Sequence, residues 1–243
     1  GEDPGFKIND KYDDKVNEID TYLSNAIAYI SESNNKINLP FESMKGLFSN
    51  KTKLYIHVDD KKGIIDAVTL AKKYGINKIT VVGGYESHKI TDFLIKNNIS
   101  VLLQRVHLRP KKNDEDYDLP YKLAKKLVDS GVIVGLEASG DMERMNSRNL
   151  PFYAGTTVAY GLTKEQALQL ITLNTAKILG IDKDYGSLEV GKSATLFISE
   201  GDALDMRTNK LLSAFVDGRE ISLESHQTKL WKKYSKKYQI PVK

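Results

Sequence analysis

Four short apolar runs, Leu54–Val58, Ile79–Val82, Ile99–Leu103 and Val132–Leu136, dominate the middle of the chain. Between them lie segments whose apolar residues recur at helical spacing: Ile64, Val68 and Ala71, then Ile90, Phe93 and Leu94, then Leu123 and Leu127. Strand–helix alternation of this kind builds parallel βαβ units. The runs are continuously apolar rather than alternating, as expected of strands covered on both faces. Gly75 and Gly131 stand where the first and third helices should end, and glycine takes the left-handed cap conformation without penalty. In such sheets ligands bind beyond the carboxyl ends of the strands. Here those ends fall near His57, Gly83, Gln104 and Glu137.

The flanks differ. Val16, Ile19, Leu23, Ile27 and Ile30 predict an amphipathic helix over 15–31. Pro40 is expected to keep the next stretch irregular. After the fourth run a helix should start at Asn149 or Pro151, and Thr163 with Gln166 forms a capping box for another. A short helix over Ala176–Leu179 is closed by Gly180. The chain then becomes β: Ala194–Ile198, Leu211–Val216, an Asp217-Gly218 turn and Glu220–Leu223. It ends in a basic helix across Leu230–Tyr238, whose Trp231, Tyr234 and Tyr238 are expected to dock on the body. The expected organisation is an extension with its helix (1–52), a (β/α) unit (53–180), a small β domain (181–223) and the basic helix (224–243).

Composition excludes several classes. No 18-residue apolar run exists, so no transmembrane helix is expected. There is no cysteine, hence no disulfide and no zinc–thiolate site. That leaves cytoplasm and periplasm both open. A net charge of +4 is too mild to imply nucleic acid, and no membrane partner is expected. The chain begins Gly1-Glu2-Asp3-Pro4 rather than with Met, as a cleavage product would.

Three stretches carry a resemblance: Gly161-Leu-Thr-Lys-Glu-Gln-Ala-Leu168, Ile171-Thr-Leu-Asn-Thr-Ala-Lys-Ile-Leu-Gly180 and Gly186-Ser-Leu-Glu-Val-Gly-Lys192. With Asp217-Gly-Arg219, they resemble the C-terminal part of metal-dependent amidohydrolases of the imidazolonepropionase and dihydroorotase kind. The resemblance spans roughly residues 53 to 223. It implies an α/β fold: a partial TIM-type (β/α) barrel, strands five to eight of the family's eight, followed by a small β-sandwich or hairpin domain. The family's N-terminal half, with its His-x-His pair, is absent, and no His-x-His occurs in this chain. Ser193 stands where the family usually has Asp.

By resemblance, His57 matches the metal-binding histidine at the end of the fifth strand. Gly83 falls where the sixth-strand histidine belongs, and His88, five residues on, is a poor substitute. The eighth-strand carboxylate, which in the family ligates metal and accepts the proton of the attacking water, falls near Ser139. Asp141 fills the slot with a short insertion, and Glu137 is a further option. The plain alternative is a loop carboxylate paired with Arg144 or Arg148. From spacing alone, Arg105, His107 and Arg109 alternate along one extended segment. They either meet a carboxylate or phosphate on the substrate or form a solvated loop.

The implied activity of the full-length parent is metal-dependent hydrolysis of a C–N bond in an amide or cyclic amide, with a divalent metal such as zinc as cofactor and a small-molecule substrate. His57, a glycine at 83 and a carboxylate at either Asp141 or Glu137 fall short of the three protein donors a hydrolytic zinc needs. The site is therefore expected to be incomplete or absent in this chain, and the chain alone inactive. The rival reading is a non-catalytic binding protein on the same fold that has lost its metal. Unpaired outer strands point to a homo-oligomer or to pairing with a separate N-terminal half.

Overall fold

The computed structural model describes residues 10–32, 36–104, 106–138 and 143–240. Contacts gather into two compact units, Gly1–Gln104 with Lys126–Val134, and Arg105–Lys125 with Gly135–Lys243.

The first unit opens with α1 (Tyr12–Ser31), whose Leu23 and Ala26 are buried. It is tied to the later chain by Tyr12 Oη donating to Asp66 at 2.7 Å and Lys73 Nζ donating to Asp20 at 2.8 Å. Two short helices follow, α2 (Leu39–Ser43) and α3 (Lys45–Phe48). Pro40 does not keep this stretch irregular. It sits in the first turn of α2, where its missing N–H would be unsatisfied anyway. Asn38 caps that turn by accepting from Phe41 N at 3.3 Å.

Then come β1 (Leu54–Val58), α4 (Lys61–Lys73), β2 (Ile79–Gly83), α5 (Thr91–Lys96) and β3 (Ser100–Leu103). After them run α6 (Leu119–Asp129) and β4 (Val134–Leu136). The four strands form one sheet in the order β1-β2-β3-β4. β1 pairs with β2, and β2 with β3, in parallel. Short right-handed crossovers keep sequential strands adjacent in this way. On α4, Ile64, Val68 and Ala71 are at most 2% exposed, the i, i+4, i+7 stripe that packs a helix on a sheet. Burying each of the two larger ones contributes about 1.5–3 kcal/mol.

Along β1 the pleat sends Tyr55 and His57 to one face and Leu54, Ile56 and Val58 to the other. The first pair is the more exposed. On the same face as Tyr55 in the neighbouring strands, Thr80 and Ser100 share a hydroxyl hydrogen bond of 3.0 Å.

The second unit holds α7 (Leu150–Ala159), α8 (Lys164–Gln169) and α9 (Leu173–Leu179). The capping box on α8 is complete, Thr163 and Gln166 each accepting from the other's backbone. Gly180 caps α9 at φ +77°. A three-stranded antiparallel sheet follows in the order β5 (Leu196–Ser199), β6 (Leu211–Val216), β7 (Arg219–Ile221). Its hairpin turns at Asp217 and Gly218, both at positive φ, the conformation such a two-residue turn demands. The Asp217 carboxylate accepts from Tyr185 at 3.1 Å and from Ser193 at 2.5 Å. Those two hydroxyls hold its pKa below the ordinary aspartate value.

The chain continues into α10 (His226–Tyr238), capped by Ser225 accepting from Thr228 N at 3.1 Å. The aromatics of this helix are not docked as the sequence suggests. Trp231 is 51%, Tyr234 44% and Tyr238 62% exposed, and Ser235 is the helix's buried residue.

Candidate functional site

In the first unit the loops leaving β1 and β2 interlock at the carboxyl end of the sheet. Gly84 N donates to Val58 O at 2.9 Å and Glu86 N to Asp59 O at 2.8 Å. Tyr85 N reaches the Asp59 carboxylate at 3.3 Å. Glu86 in turn accepts from Lys61 N at 2.9 Å, at the start of α4, where a helix dipole favours a carboxylate. Asp60 caps the same helix by accepting from Gly63 N at 2.7 Å.

His57 lies on β1 opposite Val82, exposed, one residue before this junction. Gly83 is at φ +92° and Gly84 at φ +63°, a region open mainly to glycine. A Cβ built on Gly83 would meet Asp59 Oδ1 at 2.7 Å. One built on Gly84 would meet Ser87 Oγ at 2.6 Å and Val101 at 2.9 Å. A histidine at position 83 would be strained at φ +92°, and its Cβ would have to displace the Asp59 carboxylate. His88 Nδ1 lies 3.1 Å from Tyr85 O, facing its own loop.

In the second unit His107 is held by aromatics. Its ring is 4.9 Å from that of Tyr153, edge to face, and 5.8 Å from that of Tyr121, which stacks on Tyr160 at 5.1 Å. Nε2 lies 2.8 Å from Thr156 Oγ1. That hydroxyl gives its one proton to Phe152 O at 2.9 Å, so His107 Nε2 is the donor and the neutral ring is the Nε2–H tautomer.

His107 forms part of the wall of a cleft of about 590 Å³ with Phe152, Thr156, Lys164, Asp202 and Arg207. The charges there are paired. Lys164 Nζ donates to Asp202 at 2.7 Å, and Arg207 Nη2 to Asp205 at 2.7 Å. The Arg207 guanidinium beside Asp205 lowers that carboxyl's pKa to about 2. Lys164 likewise lowers Asp202. These cleft residues come from α7, α8 and the loop after β5, too far apart in sequence for spacing to have grouped them with His107.

Glu137 follows β4, half-buried. Arg105 and Asp141 lie outside the described residues, as does Ser139. Among the described residues no three His, Asp or Glu side chains come together to hold a metal ion. The catalytic zinc that the resemblance implies therefore finds no closed donor set among the described residues.

Residues 44–221 match the amidohydrolase family model. An imidazolonepropionase from Flavobacterium psychrophilum is 25% identical over 190 residues, 69% of this chain and 46% of the relative. A 5-methylthioadenosine/S-adenosylhomocysteine deaminase from Moorella thermoacetica is 26% identical over 181 residues, 65% of this chain and 39% of the relative. The chain therefore spans less than half the length of these relatives. Among solved structures, an amidohydrolase from Thermotoga maritima superposes with a TM-score of 0.75 at 24% identity, over 85% of this chain and 55% of that one. An Xaa-Pro dipeptidase with bound methionine gives 0.51 at 18% identity, over 72% and 46%. The shared fold is α/β with a parallel sheet. With a family match over well over half its length, this chain belongs to the amidohydrolase family.

Proposed function

We propose that the protein hydrolyses a C–N bond in a small amide or cyclic amide, and that this chain carries strands five to eight of its barrel with a small closing β domain. The observation that supports this most is β1, running parallel to β2 within a sheet ordered β1-β2-β3-β4 and carrying His57 near its carboxyl end, inside the family match. On this reading the sheet ends hold the substrate. His57, at the carboxyl end of β1, faces the reacting group; Glu137 and Asp141 are carried over from the resemblance as the catalytic candidates and Arg105 as a substrate-binding one. His107, in the wall of its own cleft, is the further substrate-binding candidate. Residues 53–180 form the half-barrel, 181–223 the closing β domain, and 1–52 and 224–243 the appended segments. The open edges of the half-barrel are covered, on this reading, by a second copy or by a separate N-terminal half.

In this family a divalent metal supplies an activated water when bound; the described residues do not by themselves assemble that site. What this chain's residues do is orient and dehydrate the substrate. The test is turnover of amide and cyclic-amide substrates by the whole protein, comparing wild type with His57→Ala. Loss of about a hundredfold or more is expected on removing a group that contacts the reacting atoms. Unchanged turnover in the variant would refute the role of His57.

A second reading, a binding protein on the same fold without metal, rests on the glycine at position 83, which offers no donor where the resemblance places a histidine. It is distinguished by saturable binding of a cyclic amide with no hydrolysis, with or without added zinc.

A further inference from the structure

α10 carries Lys229, Lys232, Lys233, Lys236 and Lys237 and no acidic residue. The whole chain has a formal charge of +4. Removing this helix's five lysines leaves the remainder at −1, so the net positive charge of the protein resides on this one helix. Lys232 is paired with Glu224, just before the helix. Lys233 and Lys237 lie 5.7 Å and 5.1 Å from the rings of Tyr234 and Tyr238.

The two kinds of side chain divide the helix between them. At about 100° per residue, Leu230, Tyr234, Tyr238 and Trp231 fall within an arc of about 100°. The five lysines fill an arc of about 140° on the other side. The apolar arc is open to solvent: Leu230 is 37% exposed, and the three aromatics more so.

We propose that α10 is a docking element for an anionic lipid surface, lying in the plane of the interface with Trp231, Tyr234 and Tyr238 inserted and the lysines reaching to the headgroups. Charge complementarity requires an anionic partner. The separation of the faces selects which one. A helix gripping single-stranded nucleic acid needs lysines and stacking aromatics turned to the same ligand, whereas an interfacial helix needs them on opposite sides. Tyrosine and tryptophan favour the headgroup level, and lysine stems snorkel from it. Like charge opposes pairing of two copies through this helix. No helix among the described residues is long and apolar enough to cross a membrane.

Trp231 is the one tryptophan in the chain, so its fluorescence reports this helix alone. Titration of the whole chain with phosphatidylcholine vesicles containing phosphatidylglycerol is expected to shift the emission to the blue and carry protein into the vesicle pellet. Vesicles of phosphatidylcholine alone should bind at least about tenfold more weakly, because each lysine near an anionic surface adds to the attraction. Substituting Lys229, Lys233, Lys236 and Lys237 by Gln, which preserves helix propensity, should remove the preference for anionic vesicles with the helical circular dichroism intact. Trp231→Ala with Tyr234→Ala, read by sedimentation, should weaken binding to the same vesicles. Absence of both shift and sedimentation with anionic vesicles overturns the proposal. So does a shift produced by a single-stranded oligonucleotide and not by vesicles, which would assign the helix to nucleic acid.

Discussion

Asp59 Oδ1 stands 2.7 Å from the point a Cβ on Gly83 would occupy. The carboxylate after the first strand of the sheet fills the side-chain position at the end of the second. Gly83→Ala is expected to cost about 1–2 kcal/mol from the backbone alone, since φ is +92° there. The contact with Asp59 adds to that. In an Asp59→Ala background the same change should cost less, with a coupling of about 0.5 kcal/mol or more. Chemical denaturation of the four proteins measures it, and strict additivity would show that the contact does not matter.

Gly155 on α7 is tighter still. An added Cβ would meet the Leu204 backbone oxygen at 2.1 Å, and a backbone atom cannot rotate away. Gly155→Ala should destabilise by about 1–3 kcal/mol, the range for overpacking, although alanine is the better helix former. A melting temperature at or above wild type would contradict the packing of α7 on the loop after β5.

Leu127 on α6 is 0% exposed. Truncation to Ala leaves a cavity and is expected to cost about 2–5 kcal/mol. Leu188, 81% exposed, is the control: its truncation should change stability by less than about 0.5 kcal/mol.

Acid titration isolates one ion pair. Asp205 is held at about 2 against an ordinary 3.8 by the Arg207 guanidinium. A carboxyl depressed in the folded state adds stability that is present above its unfolded pKa and lost as pH falls toward the folded one. The window is therefore about pH 4 down to about 2. Arg207→Gln should return Asp205 toward its ordinary value in an NMR titration and flatten the acid-side fall of the melting temperature. An ordinary Asp205 pKa in the wild type would contradict the geometry.

Much of the architecture is legible in local patterns because those patterns act locally. The apolar runs became β1–β4, the stripe of Ile64, Val68 and Ala71 faces the core, and the Thr163–Gln166 box caps α8. Pro40 misled because a first-turn proline starts a helix as readily as it breaks one. Trp231 misled because periodicity shows that a helix has an apolar face, not what meets it. The candidate site was harder to read. The glycine at 83 shows from sequence alone that no donor stands there, but the Asp59 carboxylate that lies where its side chain would be arrives from the preceding loop. His107 is legible from its own segment, while Thr156, Lys164 and Arg207 join it only through the packing of later elements. Contacts that depend on tertiary folding leave no spacing signature.

On the proposed reading this chain contributes part of an amidohydrolase site and does not by itself close a metal shell. Elemental analysis of the purified chain after equilibration with zinc and desalting tests it most directly, with His57→Ala alongside. One or two donors without a closed shell bind weakly, so well under one zinc per chain is expected, equal in both proteins. One tightly held zinc per chain, lost on His57→Ala, would contradict it.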